Sequence, residues 1–320
     1  MQYTDQARRR IKLRDLHILL AVSLRGSMAK AAAELAISQP AVSRAIADLE
    51  HELGLRLLDR SRNGIEPTPY GRALVKRGLA IFDELAQGLQ ELEFLADPTT
   101  GQLRIGSAEG VAAGLLPAVI SRFARRHPRT RLNVTQTVLG TTHYSELRER
   151  RIDLLLGWIP APFAEDDLVA EPILSDPRVV VVGRQSKWGR SSNLSLADLA
   201  DEAWILPPPD TFLGSTTADL FRESGLGVPA ASLTTLSVHL CCRLAATGNY
   251  VTFLPSSIVQ FSGSDLGLKV LPVKLPRVPV LSVAVVTLKN RTRSPVAEKF
   301  IECIREVSKS VTGKPRARKS

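Results

Sequence analysis

The chain has 320 residues, 44% of them hydrophobic, and its formal net charge is +10. A mean hydropathy of +0.02 and the lack of any apolar run approaching the ~20 residues of a bilayer span predict a soluble globular protein of two or three domains, with no membrane partner. The excess of basic over acidic residues favours a polyanionic partner. Residues 1–77 carry 14 Lys and Arg against 8 Asp and Glu. No apolar segment follows the charged N-terminus, so we predict no signal peptide and a cytoplasmic location.

Two short amphipathic helices with a tight break between them occupy the stretch Ser27–Leu53. The first runs from about Met28 to Ala36, and a helix over Leu13–Arg25 would support it from behind. Ser38 is a favourable N-cap, because its hydroxyl can accept a hydrogen bond from a free first-turn N–H, and Pro40 fits the first turn. The following helix buries one stripe, which consists of Val42, Ile46, Leu49 and Leu53.

This arrangement is a helix-turn-helix pattern, in which the second helix projects polar residues near its N-terminus. An α-helix fits the major groove of B-DNA, so we predict that Gln39, Ser43 and Arg44 meet base edges there. Ser27 and Ser38 would cap the two helices and offer groups to phosphates. Taken alone, the two helices could equally form an ordinary helical hairpin in a core.

A β-hairpin is predicted next, because Leu55–Arg60 and Gly64–Pro67 flank an Asn-Gly turn. Carrying Arg60 and Arg62, this hairpin would form a wing that reaches phosphates or the minor groove. A solvent-exposed basic turn is the alternative. The predicted DNA contacts are Ser27, Ser38, Gln39, Pro40, Ser43, Arg44, Arg60 and Arg62.

A long helix from Tyr70 to about Leu95 follows the N-cap Thr68 and Pro69. Its apolar residues recur at spacings of three and four, as in a coiled coil, at Phe82, Leu85, Leu89, Leu92 and Ala96. A second copy is the simplest partner, and a two-fold dimer suits double-stranded promoter DNA with inverted half-sites. Packing of the stripe on the chain's own C-terminal domain is the alternative.

Beyond residue 101, strand-like and helical runs alternate, which predicts an α/β domain with mainly parallel sheets. Ligands of such sheets bind at the carboxyl ends of strands, near helix N-termini. Strands are predicted at 103–106, 131–138, 154–158, 178–183, 203–206, 233–236, 250–254, 268–271 and 280–288, and helices at 111–126, 142–150, 238–246 and 295–307.

The sequence resembles the LysR-type transcriptional regulators over nearly its whole length. The specific matches in the N-terminal part are Ser27, Ala31, Ala32, Leu35, Ser38–Ser43, Ile46, Leu49, Glu50, Leu53, Gly54, Leu57, Arg60 and Thr68. Looser matches follow at Leu103–Gly106, Leu115–Pro117, Phe123, Pro128, Leu147, Ile152–Leu154 and Leu254–Pro255. The chain departs from the family at Leu58, Pro67, Tyr70, Arg151 and Tyr250, where Phe, Leu, Ala, Gly and Gly are usual.

The resemblance implies an α+β multi-domain fold. Residues 11–68 would form a winged helix-turn-helix, residues 69–97 a dimerising linker helix, and residues 98–310 an effector domain similar to periplasmic solute-binding proteins. That domain would have two α/β lobes joined by two crossing strands. Lobe 1 is expected at about 101–173 and 276–310, lobe 2 at about 174–275, and a basic tail at 311–320.

The resemblance also implies a small-molecule effector in the cleft between the lobes. The predicted walls are Ser107, Glu109, Gly140, Thr141, Thr142, Leu206, Pro208, Ser237 and Tyr250. Helix N-termini and hydroxyls suit a carboxylate or a sugar, whereas Glu109 favours a hydroxylated or cationic ligand. A serine that only caps its helix is the alternative, and Tyr250 is expected to reshape the pocket.

The predicted function is therefore sequence-specific DNA binding and transcriptional regulation by a homodimer or homotetramer. A solute-binding receptor is disfavoured by the basic N-terminal third and the missing signal peptide. An enzyme is disfavoured too, because Gly225-Leu-Gly227 stands alone and no histidines are paired at i, i+4. We predict no catalytic residue, metal or cofactor, and we expect Cys241, Cys242 and Cys303 to be buried free thiols.

Overall fold

The computed structural model describes residues 11–61, 64–137, 144–160, 162–262, 266–276 and 282–312. The chain divides into two compact units, and the boundary between them along the sequence lies between Gly88 and Leu89. The predicted basic tail lies outside the described residues from residue 313 onward. Among the described residues, no helix combines the length and apolar character needed to cross a membrane.

The first unit is a helix-turn-helix followed by a β-hairpin, as the sequence predicts. Its elements are α1 (Leu13–Arg25), α2 (Met28–Glu34), α3 (Gln39–Leu53), β1 (Leu58–Ser61) and β2 (Gly64–Pro67), followed by the start of α4 (Pro69–Ala96). The strands β1 and β2 pair in an antiparallel ladder. Apolar residues from the three short helices form one buried core, which includes Leu19, Val22, Ala31, Val42, Ile46 and Leu49.

The second unit contains two five-stranded sheets. Its elements are β3 (Thr100–Ala108), α5 (Glu109–Ala113), α6 (Leu115–Arg126), β4 (Arg129–Thr137), α7 (Ser145–Arg148), β5 (Leu154–Ile159), β6 (Leu168–Ser175), β7 (Arg178–Gly183), β8 (Trp204–Leu206), α8 (Phe212–Glu223), β9 (Ala231–Thr234), α9 (Val238–Ala246), β10 (Val251–Pro255), α10 (Ser256–Ser262), β11 (Leu268–Val270), β12 (Ser282–Leu288) and α11 (Pro295–Thr312). Sheet I has the order β4-β3-β5-β12-β6, and sheet II has the order β11-β7-β10-β8-β9.

The chain passes between the sheets twice, once from β6 to β7 and once from β11 towards β12. Sheet I therefore draws on both ends of the second unit, while sheet II is built from the middle. This places the carboxyl ends of β3 and of β8 at a common cavity between the two sheets, lined on one side by Ala108 and on the other by Leu206.

The prediction of mainly parallel sheets is wrong, because both sheets are mixed. In sheet I, β3 pairs parallel with β4 and β5, while β12 pairs antiparallel with β5 and β6. In sheet II, β8 pairs parallel with β9 and β10, while β7 pairs antiparallel with β10 and β11. The antiparallel strands are those next to the two crossings, where the chain enters or leaves a sheet without a crossover helix.

Several elements differ from their predicted bounds. The helix predicted at 111–126 is two helices, α5 and α6, which break at Gly114, and the strand β6 and the helices α8 and α10 have no predicted counterpart. At Gly114 an added Cβ would lie 3.0 Å from the Ser257 Oγ, so the break brings α10 close to the backbone there.

Candidate DNA-binding surface and effector cavity

The turn between α2 and α3 is held by two serine caps and one unusual residue. Ser27 Oγ accepts a hydrogen bond from the Lys30 N–H, and Ser38 Oγ accepts one from the Ala41 N–H, both at 3.4 Å. Between the helices, Ala36 has a left-handed backbone with φ of 54°, and the Ile37 N–H reaches back to the Ala32 carbonyl at 3.1 Å. This backbone is the Schellman arrangement that ends a helix, usually with glycine at the left-handed position.

The N-terminal part of α3 presents polar side chains to solvent. Gln39, Pro40 and Arg44 are exposed and Ser43 is half-buried, while Val42 and Ile46 are buried on the other side. Both predicted cap residues, Ser27 and Ser38, accept their bonds at the helix starts. Six of the eight predicted DNA contacts therefore lie in α3 or cap a helix start. They are Ser27, Ser38, Gln39, Pro40, Ser43 and Arg44.

The hairpin is fixed to α3 and α1 by buried or half-buried hydrogen bonds. The Glu50 carboxylate accepts bonds from the N–H groups of Leu57 and Leu58 at 2.7 and 3.1 Å, which ties the start of the hairpin to α3. The Ile65 N–H donates to the carbonyl of Gly26 at 2.9 Å. Arg60 lies in β1 opposite Ile65, and Arg62 lies outside the described residues.

The apolar stripe of α4 serves two purposes. Phe82 is half-buried against the core of the first unit, and its ring lies 5.2 Å from that of His17. Farther along the helix, Leu85, Leu89 and Leu92 are 50, 56 and 64% exposed. The stripe beyond Phe82 thus presents apolar side chains of the kind that a partner helix covers.

A cavity of about 130 Å³ lies between sheet I and sheet II. Its lining is drawn from both sheets and from the first crossing, and consists of Ala108, Glu109, Gly110, Gln136, Thr137, Trp158, Asp176, Arg178, Ile205, Leu206, Pro207, Thr211, Leu213, Thr217, Thr235, Leu236, Val238, Cys241, Thr252, Phe253, Leu254 and Pro255. This is a mostly apolar pocket with a few polar groups, as small-molecule sites are.

Of the predicted effector contacts, Glu109 and Leu206 line this cavity. Four others, Ser107, Pro208, Ser237 and Tyr250, do not. Ser107 is fully buried in β3 and its hydroxyl donates to the Ala108 carbonyl, Tyr250 packs in the apolar cluster beneath α9, and Pro207 takes the place predicted for Pro208. Gly140, Thr141 and Thr142 lie outside the described residues.

Glu109 connects the two sides of the cavity. Its carboxylate accepts hydrogen bonds from the Val238 N–H at 2.8 Å, the His239 N–H at 3.4 Å and the Ser237 hydroxyl at 3.4 Å. Ser237, which lies behind the lining, also caps α9 by accepting from the Leu240 N–H at 3.3 Å. The positive N-terminal end of α9 is therefore already occupied by a carboxylate of the chain itself.

Asp176 performs a similar role at α10. One of its carboxylate oxygens accepts from the Ser257 N–H at 2.8 Å and the Ser256 hydroxyl at 3.1 Å. The other accepts from the Ser257 hydroxyl at 2.8 Å and the Trp158 indole N–H at 3.2 Å. With four donors, this buried carboxylate is fully satisfied.

Arg178 is the cation of the cavity lining. It opens β7, and its guanidinium donates to the Thr217 hydroxyl at 2.5 Å, to the Leu213 carbonyl at 3.4 Å and to the Thr216 hydroxyl. Burial lowers the pKa of this guanidinium to about 10, so it is still charged at neutral pH. Sequence reasoning placed Arg178 only as the first residue of an apolar strand and missed it as a site residue.

The three cysteines are free and buried, which confirms the prediction. Cys241 lines the cavity, and burial raises the pKa of its thiol and that of Cys242 to about 11. These thiols are therefore protonated at neutral pH and act as apolar packing groups. Within the described ranges, no group of three His, Cys, Asp or Glu side chains could hold a metal ion.

Two family models match the chain, one in each unit. The model described as "Bacterial regulatory helix-turn-helix protein, lysR family" matches residues 13–72, and the one described as "LysR substrate binding domain" matches residues 96–309. A similar protein is the HTH-type transcriptional regulator GbpR of Azospirillum brasilense, which is 29% identical over 306 residues. These cover 93% of this chain and 87% of that protein.

Solved structures show the same fold at lower identity. A full-length OxyR variant from Pseudomonas aeruginosa is 22% identical with a TM-score of 0.63, and the match covers 93% of this chain and 97% of that one. Full-length CbnR complexed with its target DNA is 21% identical with a TM-score of 0.52, covering 93% of this chain and 100% of that one. The likeness in each case extends through both units.

Proposed function

The chain belongs to the LysR family of transcriptional regulators, and we propose that it reads promoter DNA with the exposed N-terminal part of α3 while an effector in the cavity between sheets I and II controls this binding. Regulators of this family bind DNA and small-molecule effectors and are oligomeric. We propose a cytoplasmic location as well, because a DNA-binding regulator acts on the chromosome.

The polar row of Gln39 and Arg44, both exposed, and the half-buried Ser43 is the observation that carries the DNA-binding proposal. These polar side chains stand on a helix whose opposite side is buried, and the capped start of that helix leaves them free to enter a groove. Gln pairs with adenine and Arg with guanine in the major groove. Ser38 and Pro40 fix the start of α3, and Ser27 fixes the start of α2. Arg60 and Arg62 would add wing contacts to phosphates.

Promoter binding by a pair of chains follows from the exposed part of α4. Leu85, Leu89 and Leu92 lie on one side of the helix at spacings of four and three, and burying them requires a partner helix. A second copy of α4 offers the same stripe, so we propose a homodimer that reads inverted half-sites, with a homotetramer as a further assembly. Sedimentation of Leu89→Glu, compared with Glu91→Gln at a neighbouring exposed position, tests this pairing.

The effector is proposed to be a carboxylate or a sugar. The lining combines Thr211, Thr217 and Thr235 with apolar walls, and a mixed lining of this kind suits either ligand. A solute-binding receptor would share this cavity but would have no need for α3 to face solvent with polar residues.

The experiment that tests the function is DNA binding by the full chain. A binding site is selected from random duplex DNA, and binding is followed by fluorescence anisotropy at 50 and 200 mM salt. We expect sequence-selective binding with a steep loss of affinity at the higher salt, because Lys and Arg release counterions from the phosphates. Failure to bind any duplex at the lower salt would favour the solute-binding receptor instead.

A further inference from the structure

Arg178 is a half-buried cation that lines the cavity and bonds only to neutral oxygens among the described residues. Its Nη1 donates to Thr217 Oγ1 and Leu213 O, and its Nη2 to Thr216 Oγ1. The hydroxyls of Thr216 and Thr217 donate in turn to the Phe212 and Leu213 carbonyls, so their lone pairs face the guanidinium. The Nε–H and one Nη2–H remain without an acceptor in the part of the chain that the structure describes.

A charge partly withdrawn from water and without a counter-charge is unfavourable, and in a cavity a ligand of opposite sign can supply that counter-charge. Asp219 acts on Arg178 only through its charge, because its carboxylate is engaged with Arg222 at 2.8 Å on the exposed side of α8.

Among the described residues, the two acidic groups of the cavity lining are already engaged in hydrogen bonds. Glu109 is held by the N–H groups of Val238 and His239, and Asp176 is held by four donors from α10 and Trp158. Neither carboxylate is bonded to Arg178. The N-terminal end of α9, the first place to seek an anion site in this cavity, is closed to an external anion because Glu109 occupies it. The guanidinium is thus the charged group of the lining that is left for a ligand.

We propose that this cavity binds a small organic carboxylate, which pairs side-on with the Nε–H and Nη2–H edge of Arg178. The inference rests on the proposed function, in which the cavity is the effector site, and it selects the carboxylate over the sugar. A planar guanidinium and a planar carboxylate match in a two-bond arrangement that neither an amide nor a sugar hydroxyl reproduces.

The size of the cavity restricts the rest of the ligand. Its volume of about 130 Å³ is close to that of a buried cavity of roughly 150 Å³ that accommodates benzene. The lining also includes the apolar side chains of Leu206, Leu213 and Phe253. The ligand is therefore a monocarboxylate with a short apolar body, up to about the size of benzoate.

The test compares carboxylates with neutral molecules of the same shape on the full chain. Sodium acetate and benzoate, acetamide and benzamide, and D-glucose are added at matched ionic strength with chloride, and unfolding is followed by tryptophan fluorescence. All three tryptophans, Trp158, Trp188 and Trp204, lie in the second unit, so this signal reports on the unit that holds the cavity. We expect a saturable rise in unfolding temperature with benzoate, a smaller one with acetate, and none with the amides or glucose.

Arg178→Gln should weaken benzoate binding at least tenfold, while Arg222→Gln, on the exposed side of α8, should leave it unchanged. Lack of stabilisation by both carboxylates, equal stabilisation by benzamide or glucose, or unchanged binding in Arg178→Gln would overturn the inference. The wild-type comparison of benzoate with benzamide decides the question even where Arg178→Gln lowers stability.

The same preparations separate this inference from the proposed function. A chain that binds selected DNA but ignores carboxylates would overturn only the ligand class. A chain that binds benzoate through Arg178 but no DNA would overturn the regulator proposal and leave the carboxylate site standing.

Discussion

The backbone N–H of Val238 donates a hydrogen bond of 2.8 Å to the carboxylate of Glu109. Glu109 begins α5, which follows sheet I, and Val238 begins α9, which packs on sheet II. One side chain therefore spans the cavity and links its two walls. Because the positive end of a helix dipole favours a negative group, this contact stabilises the arrangement in which the walls are close.

Glu109→Gln is expected to weaken this link. The neutral amide keeps the shape of the side chain but loses the charge that the α9 N-terminus favours, so the second unit should lose about 1–2 kcal/mol of stability. Urea unfolding monitored by tryptophan fluorescence measures this loss. Glu223→Gln, an exposed position at the end of α8, is the matched control and should change stability by less than about 0.5 kcal/mol. Equal stability of the two variants would remove Glu109 as a connection between the walls.

Asp153 is expected to make stability depend on pH in the acid range. Burial alone would raise the pKa of its carboxyl, but hydrogen bonds and charges from Arg104 and Arg291 outweigh burial and hold the pKa below its ordinary value. A lowered pKa contributes stability that is fully present above the unfolded pKa of about 4 and is lost as the pH falls through the folded pKa.

Asp153→Asn should therefore destabilise the second unit by about 3 kcal/mol at pH 7, because Arg291, only 4% exposed, loses its counter-charge. The difference from the wild type should shrink as the pH falls below about 4. Urea unfolding at pH 7, 5 and 3.5 provides the comparison. A difference that stays constant with pH would mean that packing rather than the charge of Asp153 is responsible.

The buried thiols are expected to resist alkylation in the folded chain. A pKa of about 11 for Cys241 and Cys242 leaves almost no thiolate at pH 7, and the thiolate is the reactive form. Iodoacetamide at pH 7 should add no label to the native protein and three labels after unfolding in urea, one for each free cysteine, as counted by intact mass. Rapid labelling of the native chain would show that the cavity admits the reagent and lowers a thiol pKa.

Much of the first unit could be predicted from local sequence, because its signals are local. Ser38 and Pro40 mark the start of α3, and the Val42, Ile46 and Leu49 stripe marks its buried side, so a few adjacent residues sufficed. Ala36 is the exception. The hydrogen bond from the Ile37 N–H to the Ala32 carbonyl holds its left-handed backbone. Because alanine rarely adopts this conformation, its presence in the sequence does not predict it.

The cavity was predicted less completely, because its residues meet only through long-range contacts. Glu109 and Leu206 could be placed from the ends of their strands, whereas Trp158, Asp176 and Arg178 converge through the sheet crossing and the approach of α8 and α10. Antiparallel pairing of β7 and β12 likewise depends on which strands the chain brings together after a crossing, and an apolar strand such as Val179–Val182 carries no mark of direction.

Ala36→Gly is expected to stabilise the first unit. Glycine adopts the left-handed region without the steric penalty of a Cβ, and this gain of about 1–2 kcal/mol is partly offset by the greater freedom of glycine in the unfolded chain, leaving about 0.5 kcal/mol. Ala47→Gly, at an exposed position inside α3, should instead cost about 1 kcal/mol. Thermal unfolding followed by circular dichroism distinguishes the two, and a loss of stability in both would contradict the role given to Ala36.

Base discrimination by Arg44 tests the central claim most directly. Affinities of the full chain and of Arg44→Ala are measured by fluorescence anisotropy for a selected site and for each of its single-base variants, with Arg222→Ala as the charge-matched control. If α3 reads the major groove, Arg44→Ala should lose about 1–3 kcal/mol of discrimination at one base pair and keep its preferences elsewhere, while the control keeps all of them. An equal loss of affinity for every sequence would show that Arg44 meets only phosphates and would contradict the assignment of α3 as the reading helix.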